Sequence, residues 1–390
     1  MTIVGIICEC NPMHGGHEYL IRQAKKGRDA RVLCVMSGCF VQRGEAAIAE
    51  PYLRAEALVR AGADAVVELP FPFSASSAEF FAAAGVNILS RLCADEIWFG
   101  SECGDLALLE KAARISDGEE LSRRYAETAA GNAGTAEAYL SILSDLCGGA
   151  SFSSNDVLGI AYLRAIQKAG AKLRPVTIKR EGSAYAEQSL NENGFPSATA
   201  LRKAWRENGI YSILNRLPVP CRDVYARAEA PIDLANAERL ILGHFRLADP
   251  QELEQIAELS GGLGNRLHAA ACEAEDLAEM IALAATKKYP TARLRRGILF
   301  ALTRICQDDL RTSPAYVRLL AANHEGCKYL AAIRKESDLP VVTRRADLPS
   351  TPVAERQAQW ERLAWDLYGL CRSDKAAFPS PWLHSPVILD

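Results

Sequence analysis

Residues 2–8 of this 390-residue chain, Thr-Ile-Val-Gly-Ile-Ile-Cys, form a short, continuous and largely β-branched apolar run. Such a run, with no polar alternation, is expected as a strand buried on both faces, the kind found in parallel sheets. Pro12 breaks it, and Gly15 and Gly16 allow the backbone to approach a ligand closely. From about His17 the chain reads as an amphipathic helix closed by Gly27. Strand, tight turn and helix start commit the chain to a βαβ beginning. The helix start presents free N–H groups and a partial positive charge, which attract phosphate. Asn11-Pro12-Met13-His14-Gly15-Gly16-His17 places two imidazoles there, donors able to follow charge as it builds on a phosphoryl oxygen. Two plainer readings of the pair stay open: a capping histidine beside a packing histidine, or metal ligands at i, i+3 spacing.

The alternation continues for some two hundred residues. Further strands are expected at residues 30–36, 65–69, 96–99 and 173–178, each leaving the sheet through a loop rich in Gly, Ser, Pro or charge. Helices are expected over residues 17–26, 51–61, 76–92, 155–169 and 197–208, with helical, alanine-rich sequence over 106–147 and a polar loop over 179–194. In a doubly wound α/β sheet those loops gather at the carboxyl edge, where ligands bind. A proline-containing connector at 217–231 marks a change of character. Beyond it helices are expected at 235–246, 251–256, 265–275, 277–286, 291–307, 314–325 and 327–337, with one short extended piece at 339–343 and a proline-bearing tail wrapping the surface from 376. The chain is too long for one ordinary core, so a parallel-sheet α/β domain over 1–216 and a mainly α-helical domain over 217–390 are expected.

No apolar run approaches the roughly 20 residues a membrane span needs, and the opening residues lack a basic n-region and a cleavage signal. The twelve cysteines are scattered through apolar segments with no Cys-x-x-Cys, as expected of small buried hydrophobes in a reducing cytoplasm. A net charge of −3 argues against binding nucleic acid over the whole surface. Between residues 285 and 318, however, eight basic residues stand against two acidic ones, a local patch compatible with a polyanion. A solvated helix face is the plainer reading of that patch.

Ser197-Ala198-Thr199-Ala200-Leu201-Arg202-Lys203 offers a second helix start carrying two hydroxyls and a guanidinium, groups suited to the β- and γ-phosphates of a nucleoside triphosphate. Alone it reads as an N-cap. Paired with His14 and His17 it resembles the second signature of the His-x-Gly-His nucleotidyltransferases. Taken with Met36-Ser37-Gly38-Cys39-Phe40-Val41-Gln42-Arg43-Gly44-Glu45, Val67-Glu68-Leu69-Pro70, Phe99-Gly100-Ser101-Glu102, Ser154-Asn155-Asp156-Val157-Leu158-Gly159 and Ile178-Lys179-Arg180, the chain resembles the tRNA(Met) cytidine acetate ligase family over nearly its whole length. The segments Lys287–Arg296 and Tyr316–Leu320 add to the likeness.

The resemblance implies a Rossmann-like nucleotidyltransferase domain and a cytoplasmic, tRNA-binding enzyme. It would use ATP to activate acetate as acetyl-adenylate, then acetylate the wobble cytidine of elongator tRNA(Met). It implies ATP contacts from Ile7, Cys8, Glu9, Cys10, Asn11, Pro12, Met13, His14, Gly15, Gly16, His17, Glu18, Tyr19 and Leu20, and from Gly100, Asn155 and Arg180. His14 and His17 are expected on the α- and β-phosphates, and Ser197, Thr199 and Arg202 on the leaving pyrophosphate. Mg2+ is expected to arrive with ATP, since no carboxylate cluster forms a dedicated cage. Asn155 also reads as a helix N-cap and Gly100 as a simple turn. Arg43, Lys287, Lys288, Arg293, Arg295 and Arg296 are candidate RNA contacts, and the loop at 39–50 is a candidate lid or RNA-facing element. The proton acceptor for the cytidine amine is not evident; Glu45 and Glu102 are nominal candidates. The chain departs from the family pattern at Met13 (usually Phe), Gly15 (Asn), Ser154 (Pro) and Pro290, none of which removes a reacting group. A small-molecule adenylyltransferase and a catalytically silent nucleotide- or RNA-binding protein share the same two signatures and stay open here.

Overall fold

Five strands, β1 (Thr2–Cys8), β2 (Ala30–Ser37), β3 (Ala65–Leu69), β4 (Glu96–Ser101) and β5 (Arg174–Lys179), run parallel in the order β5-β4-β1-β2-β3. The computed structural model describes residues 1–130, 135–180, 196–228, 230–374 and 378–390. The expected polar loop therefore lies, from residue 181 on, outside the described residues. Connection order reverses at β1, so the β1/β4 crevice at the carboxyl ends is the topological switch point, where open α/β sheets bind ligands. The helices of this part are α1 (Gly15–Lys25), α2 (Pro51–Arg60), α3 (Ala78–Arg91), α4 (Leu106–Ser116), α5 (Glu119–Ala130), α6 (Ala136–Leu146), α7 (Ser154–Ala169) and α8 (Ala198–Asn208). The α/β class with a mainly parallel sheet is the observed one.

Because β1 and β2 are covered on both sides, each divides its apolar residues between two cores. Ile3, Ile7, Leu33 and Val35 face α3, α4 and α7. Val4, Ile6, Val32 and Cys34 face α1 and α2, and that core continues into the second half of the chain as far as Trp365 and Tyr368. Among the described residues no helix is long and apolar enough to cross a membrane.

The second half is mainly helical, with one exception that changes the sheet. Residues expected as a helix over 314–325 are strand β6 (Val317–Asn323), which pairs antiparallel with β3 and is flanked by β7 (Val341–Val342) and β8 (Val387–Leu389). The segment Arg-Leu-Leu-Ala-Ala has good helix propensity, but β3 leaves an apolar edge open beside it, and tertiary pairing overrides propensity. The extended piece expected at 339–343 is β7. The 19-residue helix Pro352–Leu370, absent from the expected elements, packs on the same core. Sheet and core thus both cross the expected division at 216/217.

Candidate active site

The turn after β1 is held from several directions. Cys10 has a left-handed backbone (φ 47°), a conformation costly for a non-glycine residue unless its surroundings impose it. Here the fully buried Arg54 guanidinium on α2 donates to the carbonyls of Glu9 (2.6 Å), Ala49 (2.9 Å), Ser37 (3.0 Å) and Gly38, tying the ends of β1 and β2 together. The Met13 N–H donates to the Tyr225 hydroxyl (2.9 Å), and the Asn11 side-chain oxygen accepts from the Ile48 N–H (2.7 Å).

His14 is the N-cap of α1. Its Nδ1 accepts from the Gly16 N–H (3.1 Å), while its own N–H donates to His17 Nδ1 (3.3 Å); the ring centroids are 4.0 Å apart. Each Nδ1 is therefore an acceptor, which puts the proton of a neutral ring on Nε2. Burial, then the neighbouring His17, Arg180 and Arg202, hold His14 well below the ordinary imidazole range. Burial lowers His17 to about 4, with Arg180 adding to it and Cys8 opposing. Capping and ligand binding are not rivals here: Nδ1 caps the helix and Nε2–H remains as a donor at its positive end.

The facing wall comes from β4, β5 and α7. Gly100 lets Arg180 lie across β4, since a Cβ there would sit 3.1 Å from Arg180 Cγ. Arg180 pairs with Glu102 (3.3 Å), whose carboxylate also accepts from Asn155 Nδ2 (2.5 Å) and the Ser153 hydroxyl. Asn155 is not the helix cap; Ser153 caps α7 in a capping box with Asp156. Burial pushes the Asp156 carboxyl up, but hydrogen bonds from Ser101, Ser153 and Cys103 more than reverse this.

At α8, Ser197 is the N-cap and accepts from the Ala200 N–H (3.1 Å), so its hydroxyl is engaged in the helix start. Arg202 donates to the Asn11 carbonyl (2.8 Å) and reaches Thr199 Oγ1 (3.4 Å). His14, His17, Thr199, Arg180 and Arg202 thus gather round the switch point. Among the described residues no group of three or more His, Cys, Asp and Glu side chains is placed to hold a metal ion. The donor set, imidazole N–H, guanidinium and helix N-termini, suits phosphate oxygens.

The chain matches the HIGH nucleotidyl transferase family over residues 1–379. It is 35% identical to the tRNA(Met) cytidine acetate ligase of Caldanaerobacter subterraneus subsp. tengcongensis across the whole of both chains. To the protein of the same description from Syntrophotalea carbinolica it is 34% identical, over 88% of this chain and 85% of that one. The chain belongs to the tRNA(Met) cytidine acetate ligase family. Its fold is that of Thermotoga maritima TmcAL in a crystal structure bound with alpha-thio ATP, with a TM-score of 0.88, 28% identity and full coverage of both chains. The apo form of that protein gives 0.89.

For this member of the family, the surface beside the cleft differs from expectation in two ways. The loop at 39–50 is a hairpin seated in the core: Phe40 and Ala46 pair, the Ala47 N–H donates to the Cys39 carbonyl (2.9 Å), and Phe40 packs edge-on against Phe71 and Tyr368. Only its tip, at Arg43, is exposed. The basic helix Thr291–Thr303 is also partly structural. Arg296 (2.8 Å) and Arg293 (3.6 Å) both pair with Glu258, and Arg293 also bonds two carbonyls, whereas Lys287 and Lys288 are exposed. Arg295 pairs with Glu45 (2.7 Å), whose other oxygen lies 3.5 Å from Arg202, so Glu45 bridges the basic helix to the cleft. Sequence reasoning missed Arg54 and Tyr225. An arginine set among Tyr, Leu, Ala and Val on one short helix was the available signal for the first; Tyr225 gave none.

Proposed function

We propose that the chain is an ATP-dependent ligase that activates acetate as acetyl-adenylate and acetylates the wobble cytidine of elongator tRNA(Met), leaving N4-acetylcytidine. The observation that carries this reading is that His14 and His17 both engage Nδ1 in the start of α1, which leaves Nε2–H of each as the donor for a phosphate, with Arg180 close enough to act on both rings and Arg202 on His14. A carboxylate oxygen of acetate attacks the α-phosphorus and pyrophosphate leaves, spreading charge over oxygens that positioned donors stabilise. His14 and His17 donate to the α- and β-phosphates. Arg202, Thr199 and the α8 N-terminus, whose geometry Ser197 sets, hold the pyrophosphate. The main chain from Ile7 to Leu20, with the His14 and His17 rings, cradles the nucleotide from one side; Gly100, Asn155 and Arg180 do so from the other. Mg2+ enters bound to ATP.

In this reading residues 1–216 perform the chemistry and 217–390 carry the tRNA. Arg43, Lys287, Lys288 and Arg295 are the phosphate contacts, and binding weakens with salt. Arg293 and Arg296 support that surface from beneath. ATP and tRNA as substrates fit a cytoplasmic enzyme.

The test is incorporation of labelled acetate into bulk tRNA, with and without ATP. ATP-dependent label recovered as N4-acetylcytidine is the expected result. His17→Ala is expected to lower both this and acetate-dependent ATP–pyrophosphate exchange by roughly 100- to 1000-fold. Exchange without labelled RNA would move the acceptor elsewhere, toward a small-molecule substrate.

A further inference from the structure

Acetyl transfer to cytidine needs a group to take the N4 proton as the amine becomes an amide. Of the acidic side chains at the helix starts, Glu18 on the first turn of α1 lies toward Cys221 and Asp156 is bonded within the α7 start; of Glu102, Glu45 and Glu9, two are fully committed. Both oxygens of Glu102 are occupied, one by Asn155 (2.5 Å) and Arg180 (3.3 Å), the other by Ser153. Glu45 gives one oxygen to Arg295 (2.7 Å) and the other to Arg202 (3.5 Å). Glu9 differs. Its Oε1 accepts from the Gln42 N–H (2.9 Å), and its Oε2 has no hydrogen-bond partner among the described residues.

Glu9 is also fixed at both ends. Arg54 holds its main-chain carbonyl (2.6 Å) while the Gln42 N–H holds Oε1, and together these orient Oε2. Glu9 lies between β1 and the histidine turn, and its carboxylate reaches the hairpin at Gln42, next to the exposed Arg43; on the ligase reading this sets it between the nucleotide and the RNA. We infer that Glu9 is the catalytic base of the transfer step, an assignment that rests on the ligase reading above.

The N4 lone pair attacks the acetyl carbonyl carbon of the mixed anhydride. The C–N bond forms, the C–O bond to phosphate breaks, and AMP leaves with that electron pair. The N4 proton passes to Glu9 Oε2 and then to water, and no redox partner is required. The groups facing Glu9 are Arg202 from α8, Arg43 and Glu45 from the hairpin, and Tyr162 from α7. Burial, the largest influence, raises the carboxyl above its ordinary range, the direction a base working near neutrality needs.

Glu9→Gln keeps an acceptor for the Gln42 N–H while it removes the proton acceptor and its charge. Two rates decide the matter in the full-length protein: acetate-dependent ATP–pyrophosphate exchange, and single-turnover transfer from preformed acetyl-adenylate to tRNA. Transfer is expected to fall roughly 100- to 10,000-fold, and to lose its rise with pH on the acid side, while exchange falls far less. Equal loss of both rates would make Glu9 a nucleotide-binding or structural residue and overturn the assignment, as would undiminished transfer. Absence of both activities in the unsubstituted protein would instead overturn the ligase reading itself.

Discussion

The fold holds His17 neutral well below physiological pH, and this has a consequence for stability. Its ring titrates near 6.5 when the chain is unfolded and at about 4 in the native protein, where burial and the nearby Arg180 both oppose charge. Below pH 6.5 the unfolded chain takes up a proton that the native state refuses. The contribution of His17 is therefore fully present above pH 6.5 and is lost as pH falls from there to 4. The shift corresponds to a few kcal/mol at most, discounted to about 2 kcal/mol because the ring is partly exposed. Urea midpoints measured at pH 7.5 and 5 are expected to drop less for His17→Asn than for the unsubstituted protein; equal drops would show that His17 is not held neutral. The histidines, Arg180 and Arg202 were legible in the sequence because each lies at a strand end or a helix start. Their supports were not. Tyr225 meets Met13 across 212 residues and Arg54 reaches back 45 to Glu9, and such contacts leave no local pattern.

At the level of elements, the hairpin at 39–47 and the helix Thr291–Thr303 come into close backbone contact at Gly44. Its φ is +72°, and a Cβ there would lie 2.5 Å from the Arg296 nitrogen and 2.7 Å from the Arg295 carbonyl carbon. Gly44→Ala meets both a left-handed backbone, which costs about 1 kcal/mol, and a backbone clash that no side-chain rotation relieves. Gly27 supplies the control: its φ is +67°, with nothing within 4 Å of the added carbon. Gly44→Ala is expected to lower Tm by several degrees more than Gly27→Ala, and to weaken tRNA binding more than ATP binding. Equal melting shifts would mean the hairpin does not seat on the helix. Element prediction from sequence failed where the same kind of long-range seating decides the outcome. Periodicity located β1 to β5, since consecutive parallel strands with intervening helices carry their own turn signals. The segment 317–323 follows the turn signal Ser313-Pro314 but reads as helix by propensity, and it becomes strand β6 because β3 lies beside it.

That single strand changes what the whole molecule is. The parallel sheet of residues 1–216 ends at β3, a fully buried strand of Ala-Val-Val-Glu-Leu whose outer edge is paired by β6. On the α1/α2 side of the sheet, the hairpin that carries Arg43 is held by the Tyr368 hydroxyl on the Ala47 carbonyl (2.7 Å) and by the Tyr368 ring against Phe40. The histidine turn is held by Tyr225. Residues 1–216 expressed alone would thus expose an apolar edge strand, a template for aggregation. They would also lose the second-half groups that fix both the hairpin and the phosphate-binding turn. The fragment is expected to be insoluble or to unfold without cooperativity, even though every residue proposed to touch ATP lies within it. A soluble monomer of 1–216 that melts cooperatively and binds ATP would refute this and would make the second half a detachable tRNA carrier. The expected failure would mean that RNA-binding surface and nucleotide site are built on one sheet. Glu45, shared between Arg202 and Arg295, would then join two parts of one rigid structure rather than span a hinge.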